Sequence, residues 1–131
     1  MIVGLGTDIV EIARIEARVP KAGEQELHNN RLAKRVLTPT EHALFVDSSN
    51  PGRYLAKRFA AKEAAAKALG TGIGRGVSFQ HIAISNNDNG APIVTFTAGA
   101  ADRLAELGGV RGHLSIADEQ HYATATVILE S

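Results

Sequence analysis

The stretch RFAAKEAAAKALGTG, residues 58–72, decides the fold because it predicts one long central helix. It is rich in alanine, the strongest helix former. Upstream, Asn50 can cap the helix and Pro51 suits its first turn, while Gly70 suits the C-terminal stop. We therefore predict a helix of about nineteen residues between Asn50 and Gly70.

The two sides of this helix differ in chemistry. At about 100° per residue, one side carries a narrow stripe that lets the helix lie close to a sheet or a second helix. That stripe consists of Tyr54, Ala61, Ala64, Ala65 and Ala68. The other half places three cations around one carboxylate, in the set Arg58, Lys62, Glu63, Ala66 and Lys67. Magnesium binds one or two carboxylates plus phosphate oxygens, so this half suits a polyanion held through a metal.

A simpler interpretation of the charged half is a solvated surface. Glu63 and Lys67 would then form an i,i+4 pair worth only about 0.2–0.5 kcal/mol, and spacing alone favours this interpretation. The loop at residues 70–76 gives some support to the other interpretation, a phosphate-binding surface, because its backbone N–H groups and Arg75 could cradle phosphates. The loop is equally consistent with a flexible helix exit. It is not a dinucleotide fingerprint, which opens a helix rather than closing one.

Asp8 lies where a predicted strand, residues 2–7, meets a predicted helix carrying Ile9, Ile12, Ile15 and Val19 at helical spacing. The sequence DIVE at residues 8–11 fits a capping box, which is the favoured interpretation on this ground alone. A carboxylate at a strand end is also well placed to hold a metal.

The same predicted helix carries a basic stripe of Arg14, Arg18 and Lys21, at i, i+4 and i+7. Exposed basic stripes are most often only solubilising. They are also what an acidic helical partner would bind.

The remaining sequence predicts a single α+β domain over residues 1–131, with antiparallel hairpins late in the chain. Residues 31–37 suggest a short helix, and Thr38 with Glu41 forms a capping box that opens another. Further predicted elements are strands at 77–84 and 93–97, a helix at 98–107, and a hairpin of strands 113–117 and 122–129.

Composition excludes several classes of protein. The 131 residues have a formal net charge of +0 and no cysteine. Disulfide frameworks and thiol catalysis are therefore excluded, and nucleic acid is not an expected partner. The N-terminus lacks the pattern of a signal peptide and no apolar run could span a bilayer, so we expect a cytoplasmic protein with no membrane partner.

Two motifs together resemble a known family. GLGTDI at residues 4–9 resembles the "G-x-D" motif of the holo-acyl-carrier-protein synthases, and residues 58–72 resemble their signature "F-x-x-K-E-A-x-x-K". The strand HLSI at residues 113–116 also agrees, as do the order, the separation and the chain length. The chain is thus similar to the small bacterial members of the 4′-phosphopantetheinyl transferase family.

This resemblance implies a fold and a reaction. The fold would be the α+β "hammerhead" arrangement, an antiparallel sheet packed with a long helix. The reaction would be Mg²⁺-dependent transfer of 4′-phosphopantetheine from coenzyme A to a serine of the acidic apo-acyl carrier protein, in fatty acid biosynthesis. Adenosine 3′,5′-bisphosphate would leave. A homotrimer with sites between subunits is also implied.

The resemblance also implies roles for individual residues. Asp8, Glu63 and Lys67 would be catalytic, with Asp8 and Glu63 holding Mg²⁺; either Glu63 or a metal-bound water would take the serine proton. Coenzyme A would contact Arg58, Lys62, Ala66, Lys67, Gly70, Thr71, Gly72 and His113. Arg14, Arg18 and Lys21 would dock the carrier protein.

One departure is visible, since many relatives have a histidine where this chain has Asp118. The competing hypotheses are a non-catalytic module that binds coenzyme A or a nucleotide, and an interaction protein that recruits an acidic helix through Arg14 and Arg18. Two candidate metal carboxylates disfavour a pure binding module.

Overall fold

The computed structural model describes residues 1–131, and its centre is the predicted long helix. The five helices are α1 Ile12–Glu16, α2 Arg31–Val36, α3 Pro39–Asp47, α4 Pro51–Ala68 and α5 Ala98–Glu106. The five strands are β1 Ile2–Glu11, β2 Ile82–Asn86, β3 Pro92–Phe96, β4 Arg111–Asp118 and β5 Tyr122–Glu130. Two 3-10 turns, Gln25–Asn29 and Phe79–His81, complete the elements. No helix combines the length and apolar character needed to cross a membrane.

The strands form two antiparallel sheets. The larger has the order β1-β5-β4, so β1 and β4 are its two edges, and β2 pairs only with β3. Alternate residues of β5 are buried against α4, namely Ala123, Ala125, Val127 and Leu129. This period of two is the pattern of a sheet with one covered face.

Helix α4 lies in backbone contact with β1. A Cβ atom on Gly4 would overlap the carbonyl oxygen of Ala68, and one on Gly6 would overlap that of Ala64. Glycine at both positions therefore lets the helix approach the strand closely. The approach places the last turns of α4 beside Asp8 on β1.

Several predicted elements are confirmed. Helix α4 begins at Pro51 and is followed by Gly70 at φ +80°, the left-handed conformation of a helix stop. Asn50 precedes it but makes no side-chain cap bond. Both bonds of the predicted box at α3 are present, from Thr38 N to Glu41 Oε1 at 2.9 Å and from Glu41 N to Thr38 Oγ1 at 3.4 Å. The α+β class, with an antiparallel sheet on a long helix, is confirmed as well.

The predicted boundary at Asp8 is wrong. Strand β1 continues through Asp8, which pairs with Ala125 of β5, and the helix begins only at Ile12. Asp8 therefore caps nothing, and α1 has 5 residues. Strand β2 also starts later than predicted, because Ser78 caps the turn Phe79–His81 in front of it.

Candidate functional site

A cleft of about 350 Å³ opens at the β1 edge, between β1, α1 and α4. We call it the carboxylate cleft. Its charged lining residues are Asp8, Glu11, Arg14, Arg18 and Glu63. Asp8 reaches it from the strand and Glu63 from the helix. The structure thus brings together the two carboxylates that the sequence assigned to a metal.

Lys67 joins the two elements at this cleft. Its Nζ donates to Asp8 Oδ1 at 2.8 Å and to the carbonyl oxygen of Thr7 at 3.1 Å. The Lys67 side chain is 49% exposed, whereas that of Asp8 is 15% exposed. The simpler interpretation, a solvated Glu63–Lys67 pair, is therefore wrong, because Lys67 pairs across to Asp8 instead.

Glu63 is half-buried and has an unusual electrostatic environment. Burial raises the pKa of Glu63, and the negative charge of Asp8 raises it further, while Lys67 and Arg35 oppose the change. Ionising both carboxylates in one cleft is costly unless a cation joins them.

The donor set fits a magnesium ion. Asp8 and Glu63 supply hard oxygen ligands, and no third His, Cys, Asp or Glu joins them in a metal-binding group. Magnesium commonly takes one or two carboxylates and completes its shell with waters and substrate phosphates. An all-protein cage is therefore not required here.

A second cleft, of about 380 Å³, opens at the β4 edge on the other flank of α4. We call it the cationic cleft, because Arg53, Lys57 and Arg58 all line it. Arg58 is 7% exposed and its guanidinium lies 4.9 Å from the centre of the Tyr54 ring. The Nε atom of Arg58 is buried without a hydrogen-bond partner. A buried donor without a partner is costly, so an anionic ligand would relieve it.

Arg53 and Lys57 were missed by the sequence reasoning. Their i,i+4 spacing, one turn before the signature stretch, was a signal in the sequence.

The prediction for Lys62 is wrong. Its side chain is completely buried, and Nζ donates to Glu41 Oε1 at 2.6 Å, to the carbonyl oxygen of Val36 at 2.6 Å and to that of Phe79 at 3.2 Å. Burial lowers the pKa of Lys62, and the Glu41 carboxylate opposes this. With α2, α3 and the Phe79–His81 turn covering this side of α4, Lys62 cannot reach a phosphate.

Three amides of the predicted cradle at residues 70–76 are used by the helix exit itself. The amides of Thr71 and Gly72 both donate to the carbonyl oxygen of Ala66. The amide of Gly70 donates to the carbonyl oxygen of Lys67. These N–H groups close the helix and are not free for phosphate oxygens. Ala66 is completely buried, so its predicted contact with coenzyme A is wrong. Side-chain or rim contacts of Gly70, Thr71 and Gly72 with a ligand stay predictions.

His113 is not brought to either cleft of this chain. It lies on β4 three residues from Ile116, which lines the cationic cleft, and so faces the opposite side of the sheet. Its Nε2 lies 2.8 Å from Glu130 Oε1. Hydrogen bonds from His113 and Arg111 lower the pKa of Glu130. A contact of His113 with coenzyme A stays a prediction.

The basic stripe is only partly assembled. Arg14 and Arg18 line the carboxylate cleft, but α1 ends at Glu16, so no helix carries the stripe to Lys21. Lys21 lines a separate depression beside Pro51 and Gly52. Two of the three docking candidates therefore lie where a partner would approach the carboxylates.

The site combines two carboxylates, a lysine beside them and a second, cationic cleft. This combination is typical of proteins that carry out metal-assisted chemistry on phosphates.

Comparison with known proteins identifies the family. Residues 4–127 match the family model ACPS, described as the 4′-phosphopantetheinyl transferase superfamily. A holo-[acyl-carrier-protein] synthase of Shewanella piezotolerans is 83% identical over 131 residues, covering 100% of both chains. The crystal structure of a holo-[acyl-carrier-protein] synthase from Neisseria meningitidis superposes with TM-score 0.84 at 41% identity, covering 100% of both chains.

A further solved relative is the holo-(acyl-carrier-protein) synthase of Bacillus anthracis, in complex with CoA (3′,5′-ADP). It has TM-score 0.79 and 37% identity, covering 100% of this chain and 98% of that one. The chain therefore belongs to the holo-[acyl-carrier-protein] synthase family of 4′-phosphopantetheinyl transferases. The resemblance found in the sequence, the enzyme class and the family fold are confirmed.

Proposed function

We propose that this chain transfers 4′-phosphopantetheine from coenzyme A to a serine of apo-acyl carrier protein, with Mg²⁺, in fatty acid biosynthesis. The observation that carries the proposal is that Asp8 and Glu63 line one cleft and that Lys67 donates a hydrogen bond to Asp8 there. The name of the relatives and the complex of the Bacillus anthracis protein supply the carrier and the donor. A single domain over residues 1–131 is part of the proposal.

The reaction needs charge neutralisation and positioning more than covalent catalysis. The serine oxygen forms a bond to the phosphorus that bears the pantetheine arm, and the bond from that phosphorus to the departing bisphosphate breaks. Mg²⁺ held by Asp8 and Glu63 would neutralise phosphate charge and polarise the reacting phosphorus.

Two side chains have further roles in this proposal. Lys67 is half exposed, so its ammonium can turn from Asp8 towards a phosphate oxygen. Glu63 lines the same cleft as Asp8, so its carboxylate is one possible acceptor for the serine proton. A water molecule in the cleft is the alternative acceptor.

The cationic cleft is the proposed site of the nucleotide end of coenzyme A. Arg53, Lys57 and Arg58 give it three positive charges for a bisphosphate, and Arg58 Nε is a donor without a partner. Guanidinium groups suit phosphates because they can donate in pairs.

The two clefts of one chain open at opposite edges of the sheet, with α4 between them. We propose that a complete site forms when the β1 edge of one subunit meets the β4 edge of the next. Head-to-tail contacts form a ring where the rotation between subunits closes, and the ring that the family resemblance implies is a homotrimer. Exposed apolar side chains on β1 support burial in an assembly, with Ile2 at 64%, Leu5 at 66% and Ile9 at 63% exposure.

A mixing experiment tests the shared site. We expect Glu63→Gln and Arg58→Gln homo-oligomers to be nearly inactive, because each lacks one half of every site. Subunits dissociated, mixed in equal amounts and reassembled should regain a substantial fraction of activity, since some sites then combine two intact halves. Mixtures that regain no activity, although native mass spectrometry shows mixed oligomers, would mean that each site belongs to one chain.

The proposed carrier-docking surface consists of Arg14 and Arg18 beside the carboxylates. Replacing Arg14 with Glu should weaken binding of acyl carrier protein about tenfold or more by titration calorimetry, because the carrier is acidic. Affinity for coenzyme A should change less than twofold. Lys21→Glu is the matched control and should have the smaller effect on the carrier, since Lys21 lies outside the cleft. Equal loss of both affinities in Arg14→Glu would contradict the docking role.

Metal dependence tests the proposed chemistry as a whole. Transfer, followed by release of adenosine 3′,5′-bisphosphate, should stop after treatment with EDTA and return on addition of excess Mg²⁺. Full activity in EDTA would contradict the assignment of Asp8 and Glu63.

A further inference from the structure

Asp118, at the end of β4, places a carboxylate against the cations of the cationic cleft. Its Oδ2 accepts a hydrogen bond from Arg53 at 2.7 Å, and its Oδ1 lies 3.6 Å from Lys57 Nζ. Each of its two oxygens therefore faces one of the three cations that line the cleft. A phosphate that binds between Arg53 and Lys57 would occupy the same position as this carboxylate.

A purely structural role does not require the charge of Asp118. Arg53 also donates to the carbonyl oxygens of Glu119 at 2.9 Å and of Gln120 at 3.2 Å, so it holds the β4–β5 turn without the carboxylate. The side chains of Arg53 and Asp118 are both 29% exposed. Ion pairs at this level of exposure contribute little to stability.

The Asp118 carboxylate affects the binding of an anion more than it affects the stability of the fold. Asp118 reduces the formal charge of the cleft by one unit, and it occupies hydrogen-bonding capacity on Arg53 that a phosphate would otherwise use. A ligand phosphate must either displace Asp118 or bind beside a like charge. Either course weakens anion binding without altering the rest of the cleft.

We propose that Asp118 is an internal competitor for phosphate that limits how tightly the cleft holds the nucleotide. The inference rests on the proposed function of the cleft. The donor coenzyme A and the product adenosine 3′,5′-bisphosphate carry the same nucleotide phosphates, so a cleft with three unopposed cations would retain the product. By competing with the phosphates for Arg53 and Lys57, Asp118 favours release of the product after the transfer.

The test compares wild type with Asp118→Asn, whose amide still accepts a hydrogen bond from Arg53 but has no charge. By titration calorimetry, we expect adenosine 3′,5′-bisphosphate to bind Asp118→Asn about fivefold more tightly, as removal of a nearby like charge predicts. Uncharged adenosine should bind both proteins equally. The inhibition constant of the bisphosphate in the transfer assay should fall by the same factor.

Two further variants make the test specific. Asp118→Ser should reproduce the result if the asparagine variant folds poorly, because serine also accepts a hydrogen bond. Asp102→Asn removes an exposed carboxylate on α5, away from the residues that line the cleft, and should leave the affinity unchanged.

The outcomes separate this inference from the proposed function. Suppose that wild type binds the bisphosphate and transfers the pantetheine arm, but neither Asp118 variant binds the bisphosphate more tightly. Asp118 then only stabilises the β4–β5 turn through Arg53, and the inference is wrong. If wild type does not bind the bisphosphate at all, the proposed nucleotide site fails and the inference fails with it.

Discussion

Replacing Glu63 with Gln is expected to lower the transfer rate about a thousandfold or more while the protein stays folded. Glutamine has nearly the same shape but neither the negative charge needed to hold Mg²⁺ beside Asp8 nor the capacity to accept a proton. The measurement is the initial rate of phosphopantetheine transfer at saturating Mg²⁺ and coenzyme A. Glu106→Gln, an exposed carboxylate on α5, is the matched control and should keep full activity.

The stability of Glu63→Gln distinguishes a functional carboxylate from a structural one. Because the folded protein raises the pKa of Glu63, ionising this group opposes folding. That cost is absent below the pKa of an unfolded glutamate and is fully present above the raised folded value. With both proteins free of metal, Glu63→Gln should therefore melt at or slightly above the melting temperature of wild type at pH 8. Near pH 4 the two melting temperatures should be equal. A large fall in melting temperature would show that Glu63 supports the fold instead.

Replacing Lys62 with Met should destabilise the protein by about 3–5 kcal/mol, because it leaves the Glu41 carboxylate buried without its cation. Glu41 is 2% exposed, and its Oε2 already accepts from the amide of Ile84 at 2.6 Å. Urea unfolding at a fixed protein concentration measures the loss. Lys57→Met on the same helix is the control and should cost well under about 1 kcal/mol, since Lys57 is 39% exposed.

A second variant identifies the cause. Adding Glu41→Gln to Lys62→Met removes the unpaired charge and should restore a substantial part of the lost stability. If Lys62→Met unfolds at the wild-type urea concentration but no longer binds coenzyme A, the contact with phosphate that the sequence suggested would be correct.

Local sequence signals predicted those parts of the fold that depend on local interactions. Helix α4 and the capping box at Thr38 and Glu41 follow from helix propensity, a proline and a pair of side chains three residues apart. The error at Asp8 has the opposite origin. Residues 8–11 fit a helix start locally, but pairing with β5, more than a hundred residues away in sequence, extends the strand through them.

In the site, too, local sequence predicts some features, whereas others depend on contacts between distant residues. Lys62 and Lys67 lie on the same half of α4, and spacing cannot show that α2 and α3 cover one of them while the other reaches Asp8. The two carboxylates were found only because two motifs occurred together. Spacing along α4 shows that Arg53 and Lys57 share a face, but not that Asn86, Pro92 and Ile116 from other elements close a cleft around them.

The most direct test of the proposed transfer is the intact mass of apo-acyl carrier protein after incubation with this protein, coenzyme A and Mg²⁺. We predict that the carrier gains one phosphopantetheine group, and that a carrier with its acceptor serine changed to alanine gains none. We also predict no gain with Glu63→Gln. An unchanged carrier mass with folded wild-type protein that binds coenzyme A would contradict the proposed transfer and would favour a module that only binds coenzyme A.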